Sequence, residues 1–151
     1  MFWLAIALTT LSCLLAEDVA TLEISPNNCL FGCFDALALA PYADIPATAG
    51  YYDGYCNSTI FTTSILSCSE TYCTSTQQDA GWTLMTEYCL EYGLVALPTQ
   101  AEVKALITET DIPRIAFTTD PPTMINDTVI PDEASFQLGF RTEVSHSTDR
   151  S

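Results

Sequence analysis

The stretch that decides the fold is Cys29-Leu-Phe-Gly-Cys33-Phe-Asp-Ala-Leu-Ala-Leu-Ala40. Its apolar residues recur at helical spacing, Asn27 and Asn28 are suitable N-caps, and Pro41 ends the pattern. Residues four apart lie on one face of a helix, so Cys29 and Cys33 both point inward. We therefore expect a buried helix over residues 29–40, held by two disulfides to two different neighbouring segments.

Residues 2–15 form the only long apolar run, and they indicate export. A run of that length is too short to cross a bilayer but matches the core of a signal peptide. Cleavage after Ala16 removes Cys13 and leaves six of the seven cysteines. A lipoprotein anchored through Cys13 is disfavoured, because Thr10 stands where an aliphatic residue is required. We expect residues 1–16 to be a signal peptide and the mature chain to be secreted or extracellular.

The mature chain keeps an even number of cysteines, namely Cys29, Cys33, Cys56, Cys68, Cys73 and Cys89. In an oxidising compartment this number indicates a framework of disulfide bonds. Zinc is disfavoured, because C-x2-C pairs are missing and the single histidine, His146, lies far from the cysteines. The spacing does not choose among the many pairings that six cysteines allow.

Three further helices are predicted in the cysteine-rich region. They run from Asn57 or Ser58 to Tyr72, from a cap at Asp79 to Gly93, and from Thr99 to about Thr110. The second of them carries a stripe of apolar residues that is assigned to the core: Trp82, Met85, Cys89 and Tyr92. Each helix is too short to be stable alone, so covalent links and a shared core must hold them.

The connection from Pro41 to Tyr55 is predicted to be a loop rich in tyrosine. It contains Pro46, Gly50 and Gly54 together with the four rings of Tyr42, Tyr51, Tyr52 and Tyr55. The favoured interpretation is that these rings pack over a small core. A ligand-contact surface is the alternative.

The composition of the sequence changes beyond Asp111. Prolines are interspersed among Thr, Asp and Asn there, and cysteines are missing. A short terminal helix is expected from Asp132 to Ser145, since Pro131-Asp132-Glu133 has the form of a helix start. The sequence thus predicts an all-α, small disulfide-rich domain of about four short helices at residues 17–110. An extended Pro/Thr-rich linker or stalk follows at residues 111–151.

The charge of the chain disfavours two classes of partner. The chain has 19 acidic and 4 basic residues, a net charge of −15, and its first basic residue is Lys104. Such a surface disfavours nucleic acid and anionic lipid, and it favours solubility with a weak attraction for cations. Two sequons, at Asn57 and Asn126, are predicted N-glycosylation acceptors.

Catalytic chemistry is not predicted. Glycine-rich phosphate loops, G-x-S-x-G and metal-spaced histidine pairs are all missing from the sequence. His146 is interpreted as a solvated histidine in a polar terminal segment, without an apolar wall to shift its pKa. The residues alone predict a binding or presentation module without cofactor or metal.

The order of several weak motifs resembles the extracellular N-terminal region of fungal ferric-chelate reductase transmembrane components. Those motifs are Cys29-Leu-Phe-Gly-Cys33, Cys56, Ser64-Ile-Leu-Ser-Cys68-Ser-Glu-Thr-Tyr-Cys73, Trp82, Pro121-Pro122, Asn126-Asp-Thr128 and Glu143-Val-Ser-His146. The chain departs from the family in lacking a third cysteine shortly after the first pair and in having Cys89. The family's disulfide pairing is therefore not carried over.

The resemblance implies a non-catalytic extracellular domain linked to iron acquisition at the fungal cell surface. The family passes electrons from NADPH through FAD and two haems in membrane helices, and this chain contains none of those segments. The chain is expected to be a fragment or a free-standing secreted paralogue, and any membrane attachment would come through downstream segments. The alternatives are a small secreted cysteine-rich protein that binds a cell-surface or host partner, and an acidic module that binds cations or ferric chelates.

Overall fold

The computed structural model describes residues 25–119 and 122–148, so the predicted signal peptide lies outside it. Within this part the elements are α1 (Asn28–Leu37), α2 (Tyr51–Asn57), α3 (Thr59–Tyr72), α4 (Ser75–Tyr92), α5 (Gln100–Leu106), β1 (Arg114–Ile115), β2 (Ile130–Pro131) and α6 (Glu133–Thr148). The prediction of a small disulfide-rich helical domain is confirmed. In the same ranges, no helix combines the length and the apolar character needed to cross a bilayer.

Helix α1 forms the centre of the core and contacts α3, α4 and α6. Nearly every residue of α1 is buried, and Leu30, Cys33 and Leu37 are 0% exposed. Burying a side chain of the size of leucine stabilises the fold by about 1.5–3 kcal/mol. The short apolar stretch that opens the mature domain is therefore the element around which the others assemble.

The three disulfides join Cys29 to Cys73, Cys33 to Cys68, and Cys56 to Cys89. The first two bonds are nested, with the start of α1 linked to the end of α3, which makes the two helices antiparallel. The expectation that α1 would be linked to two different segments is wrong, because Cys68 and Cys73 both belong to the last turn and C-cap of α3. The third bond joins α2 to α4.

Helix boundaries follow the capping residues. The α3 prediction is confirmed, since the Ser58 hydroxyl accepts a hydrogen bond from the Phe61 amide at 2.9 Å. Helix α4 begins at Ser75 instead of Asp79, because Thr74 and Gln77 form a capping box one turn earlier. Helix α2, inside the predicted tyrosine loop, was not anticipated.

The predicted stalk is wrong for the described residues between 111 and 148, which pack on the helical core. Isolated apolar side chains anchor this segment: Phe117, Ile125, Val129, Ile130 and Phe136 are at most 8% exposed. Backbone hydrogen bonds also hold this segment. Strand β1 pairs in parallel with β2, and an isolated β-bridge joins Ile125 to Tyr42 in the segment after α1. The expected terminal helix is confirmed as α6, whose first turn is capped by the Asp132 carboxylate through the Ser135 amide at 2.9 Å.

Two glycines allow α6 to lie directly on α1. A Cβ atom added to Gly139 would be 2.3 Å from the Gly32 carbonyl oxygen, and one added to Gly32 would be 2.8 Å from the Phe140 Cα. Contacts that short are forbidden to any larger residue unless the helices separate. This close approach brings the C-terminal half of α6 beside Asp35.

Candidate functional site

A cleft of about 630 Å³ opens where α1, α2, α4 and α6 meet. Six aromatic side chains line it, together with a smaller polar group that includes two carboxylates and the histidine: Phe31, Phe34, Tyr51, Tyr52, Tyr88, Tyr92, Asp35, Glu143 and His146. Its volume lies in the range of small-molecule sites, which are about 300–1,000 Å³. The cleft is concave, aromatic and partly charged, which makes it a candidate ligand site.

Five of these rings form a closed circuit around the wall of the cleft. The centroid distances are 6.0 Å for Phe31–Phe34, 5.9 Å for Phe34–Tyr51, 5.3 Å for Tyr51–Tyr52, 5.9 Å for Tyr52–Tyr88 and 5.6 Å for Tyr88–Phe31. All lie within the range of favourable ring pairs, about 4.5–7 Å. Because the rings come from three helices, each one limits the rotation of its neighbours.

The two phenylalanines are the fixed part of this wall. Phe31 and Phe34 are buried, whereas Tyr51 is 57% exposed and carries its ring to the mouth of the cleft. Burial raises the pKa of the Tyr51 hydroxyl to about 12, with the neighbouring Tyr55 and Asp35 adding to the rise. The phenol therefore stays protonated at neutral pH and gives the wall a donor without a charge.

The charged groups of the cleft lie on α1 and α6. Burial raises the pKa of the Asp35 carboxyl, and hydrogen-bond contact with Glu143 and the charge of His146 oppose that rise. The described lining residues include no lysine or arginine. The cleft therefore carries two carboxyl groups, with His146 beside them, against uncharged aromatic walls.

His146 is exposed, as the sequence predicts, but it lies on a helix that packs on the core and not in a free terminal segment. Its position on α6 places it at the rim of the cleft, next to Asp35 and within the same lining as Tyr51. The stalk prediction does not foresee this position, since a terminal segment without tertiary contacts borders no cleft. Glu143 and His146, three residues apart on α6, both line the cleft because α6 packs on α1.

The tyrosine segment divides between packing and the cleft. Tyr42 is buried and donates to the Leu37 carbonyl at 3.2 Å, and Tyr55 donates to the Ala38 carbonyl at 3.3 Å. Tyr51 and Tyr52 line the cleft instead. The packing interpretation is confirmed for Tyr42 and Tyr55, whereas a ligand-contact role of Tyr51 and Tyr52 stays a prediction.

Sequence reasoning missed three contributors to the cleft: Asp35, Tyr88 and Glu143. It also placed Tyr92 in the core, although that ring is 57% exposed and borders the cleft. One signal was present, because Asp35 is a carboxylate within an otherwise apolar, buried helix. An ionisable group at such a position either has a partner or lines a cavity.

The remaining predicted site residues lie away from the cleft. Asn57 is exposed at the end of α2 and donates to the Asp53 carbonyl and carboxylate at 2.9 Å. Asn126 is also exposed, on the segment before β2, and the glycosylation of both stays a prediction. Over the described ranges, no group of three or more His, Cys, Asp or Glu side chains lies close enough to hold a metal ion.

Comparison with known proteins returned no relative. No protein-family model, no curated protein and no solved structure matches this chain. The resemblance to ferric-chelate reductase ectodomains is therefore unsupported by any match, and the site has to be interpreted from its own geometry.

Proposed function

We propose that this protein is a secreted, non-catalytic binding module and that the aromatic cleft is its ligand site. The observation that carries the proposal is the closed circuit of five rings, which leaves Tyr51 at the mouth of a concave space. Exposed aromatic rings around a cavity are typical of recognition surfaces, since they offer a large apolar area at little entropic cost. Export of the chain is supported by the signal-like residues 2–15 and by three disulfides.

One disulfide supports the proposed binding function. Cys56–Cys89 joins α2 to α4, the two helices that supply the tyrosines of the cleft. The wall is thus covalently fixed before a ligand arrives, which lowers the entropic cost of binding. A link to iron acquisition stays a prediction from the resemblance, and the two carboxylates of the cleft disfavour anionic ferric chelates such as ferric citrate.

The test is a ligand-observed NMR screen of a small library containing cations, sugars, aromatic acids and short peptides. We expect at least one class to show saturable binding to the intact, oxidised protein. The variant Tyr51→Ser should abolish that binding and leave the thermal unfolding temperature almost unchanged, because this side chain is largely exposed. A matched control is Tyr72→Phe, which keeps the ring on Phe136 and removes a hydroxyl far from the cleft.

If no library member binds, or if Tyr51→Ser binds as well as the wild type, the cleft is not the ligand site. If the variant unfolds at a markedly lower temperature, the ring has a structural role instead. Secretion is tested separately, by expression in a eukaryotic host and N-terminal sequencing of the exported protein, where Glu17 is the expected first residue.

A further inference from the structure

We infer that the ligand of the cleft is a small organic cation, with a quaternary or protonated tertiary ammonium as its recognised group. This inference rests on the proposed binding function and names the chemistry of the ligand. Three features of the cleft carry it: the ring circuit, the sign of the lining charges and the volume. Each restricts the ligand independently.

The rings that line the cleft are set at steep angles to one another. Tyr51 and Tyr52 are nearly perpendicular, with an interplanar angle of 85°, and Tyr52 and Tyr88 meet at 70°. Rings set at such angles cannot all stack on one flat ligand, but together they can surround a compact group. The negative face of an aromatic ring attracts a cation within about 6 Å of its centroid, and aromatic enclosures recognise quaternary ammonium groups in this way.

The charges of the cleft select for the same sign. Asp35 follows Phe34 directly on α1, and Glu143 approaches it from α6, so both carboxyl groups border the aromatic wall. The described lining residues include no lysine or arginine, and His146 at the rim is the one basic side chain among them. A cation bound beside the rings would be attracted by the ring faces and by the two carboxyl groups. An anion would be repelled by both.

The volume and the weak hydration of the ligand complete the argument. A cleft of about 630 Å³ admits a molecule of modest size but is far larger than a bare metal ion requires. Aromatic walls offer no ligand atoms to replace the water shell of a small inorganic cation. A quaternary ammonium holds its water loosely, so the walls can desolvate it at low cost.

The experiment compares choline with its uncharged carbon isostere, 3,3-dimethylbutan-1-ol, by NMR titration of the full oxidised chain at constant ionic strength. The two probes have the same shape and differ only in charge. We expect choline to bind at least about tenfold more tightly, which corresponds to about 1.4 kcal/mol. Sodium chloride at the same concentration should not displace choline.

Two variants localise the effect. Glu143→Gln should weaken choline binding several-fold without changing the fold, since it keeps the shape of a half-exposed side chain. The control Glu87→Gln removes the same charge from an exposed position on α4 outside the cleft and should leave binding unchanged. A Tyr51→Ser variant should lose binding of choline.

Other outcomes overturn the inference in distinguishable ways. If the isostere binds as tightly as choline, or if only neutral or anionic library members bind, the cleft recognises shape or another charge, and the binding function alone survives. If Glu87→Gln weakens the binding of choline as much as Glu143→Gln does, the cation is attracted by the net charge of the protein and not by this site. If nothing binds, the inference and the proposed function fail together.

Discussion

Replacing Gly139 with alanine tests whether α6 lies on α1 as closely as described. The added Cβ would be 2.3 Å from the Gly32 carbonyl oxygen and 2.9 Å from the Ala36 amide nitrogen, whereas ordinary contact begins at 3.4 Å. The shortfall is 3.4 − 2.3 = 1.1 Å, and both obstacles are backbone atoms that cannot rotate away. The helices must therefore separate, or α6 must leave its position.

Two effects of opposite sign determine the magnitude. Overpacking costs about 1–3 kcal/mol, and rigid neighbours place this site in the upper half of that range. Alanine is a better helix former than glycine by about 1 kcal/mol, which offsets part of the cost. We expect a net loss of about 1–2 kcal/mol in the free energy of unfolding, with faster amide hydrogen exchange in residues 133–148.

The assay is equilibrium denaturation in urea with the disulfides intact, and the control is Gly50→Ala. At Gly50 the added Cβ would meet only the Asp53 Cβ, at 3.7 Å, so the expected change is small, about 0.5 kcal/mol or less. The sign of the Gly139→Ala result is decisive. If this variant is as stable as the wild type or more stable, helix propensity dominates, α6 is not seated against α1, and the reasoning is refuted.

Three further predictions concern the disulfides, a buried carboxyl and a strained residue. With Cys33–Cys68 intact, Cys29–Cys73 closes a loop of only (33 − 29) + (73 − 68) = 9 residues, whereas Cys56–Cys89 closes one of 33 residues. A shorter loop gives a smaller stabilisation, so replacing Cys29 and Cys73 with alanine should lower the free energy of unfolding by about 1 kcal/mol less than replacing Cys56 and Cys89. Urea denaturation of the two double variants measures the difference. Burial raises the pKa of Asp35 above its ordinary 3.8, so the stability this group contributes is full below 3.8 and is lost as the pH rises through its folded pKa. Asp35→Asn should thus raise the melting temperature at pH 7 and lose that advantage as the pH falls towards 3.8, and an equal effect at both pH values would contradict the assignment. Leu94 has a φ of 53° and is 87% exposed, so Leu94→Gly should stabilise the fold by about 0.5–1 kcal/mol, and a lower melting temperature would count against strain at this position.

Capping chemistry and periodicity predicted the elements that depend on nearby residues. Helix α3 starts where Ser58 can cap it, and α5 starts at the Thr99 capping box. The start of α4 was missed although Thr74 and Gln77 form the same kind of box, because Asp79 offered a second plausible cap. Local rules identify candidate starts but do not rank two that lie only five residues apart.

The packing of the proline-rich segment follows from contacts that have no local pattern. Thr63 and Thr128, 65 residues apart, join their hydroxyls at 2.8 Å, and the Val129 amide donates to the Ser64 hydroxyl at 3.0 Å. A polar stripe on α3 thus receives the segment that looked like a stalk. Such an interaction requires both partners to be known in space, so the sequence alone favours an exposed segment.

The cleft was unpredictable for the same reason, and its construction suggests how it works. Its tyrosine wall is fixed covalently, since Cys56–Cys89 joins the helices that carry the rings. The carboxylate of Glu143 reaches the cleft only because α6 packs, without a covalent link, against α1 at Gly139. Gly139→Ala should therefore weaken the binding of choline and leave the rings assembled. Binding of the uncharged isostere should then change little. If the affinities for choline and for the isostere fall equally, α6 shapes the wall of the cleft and does more than supply the charge of Glu143.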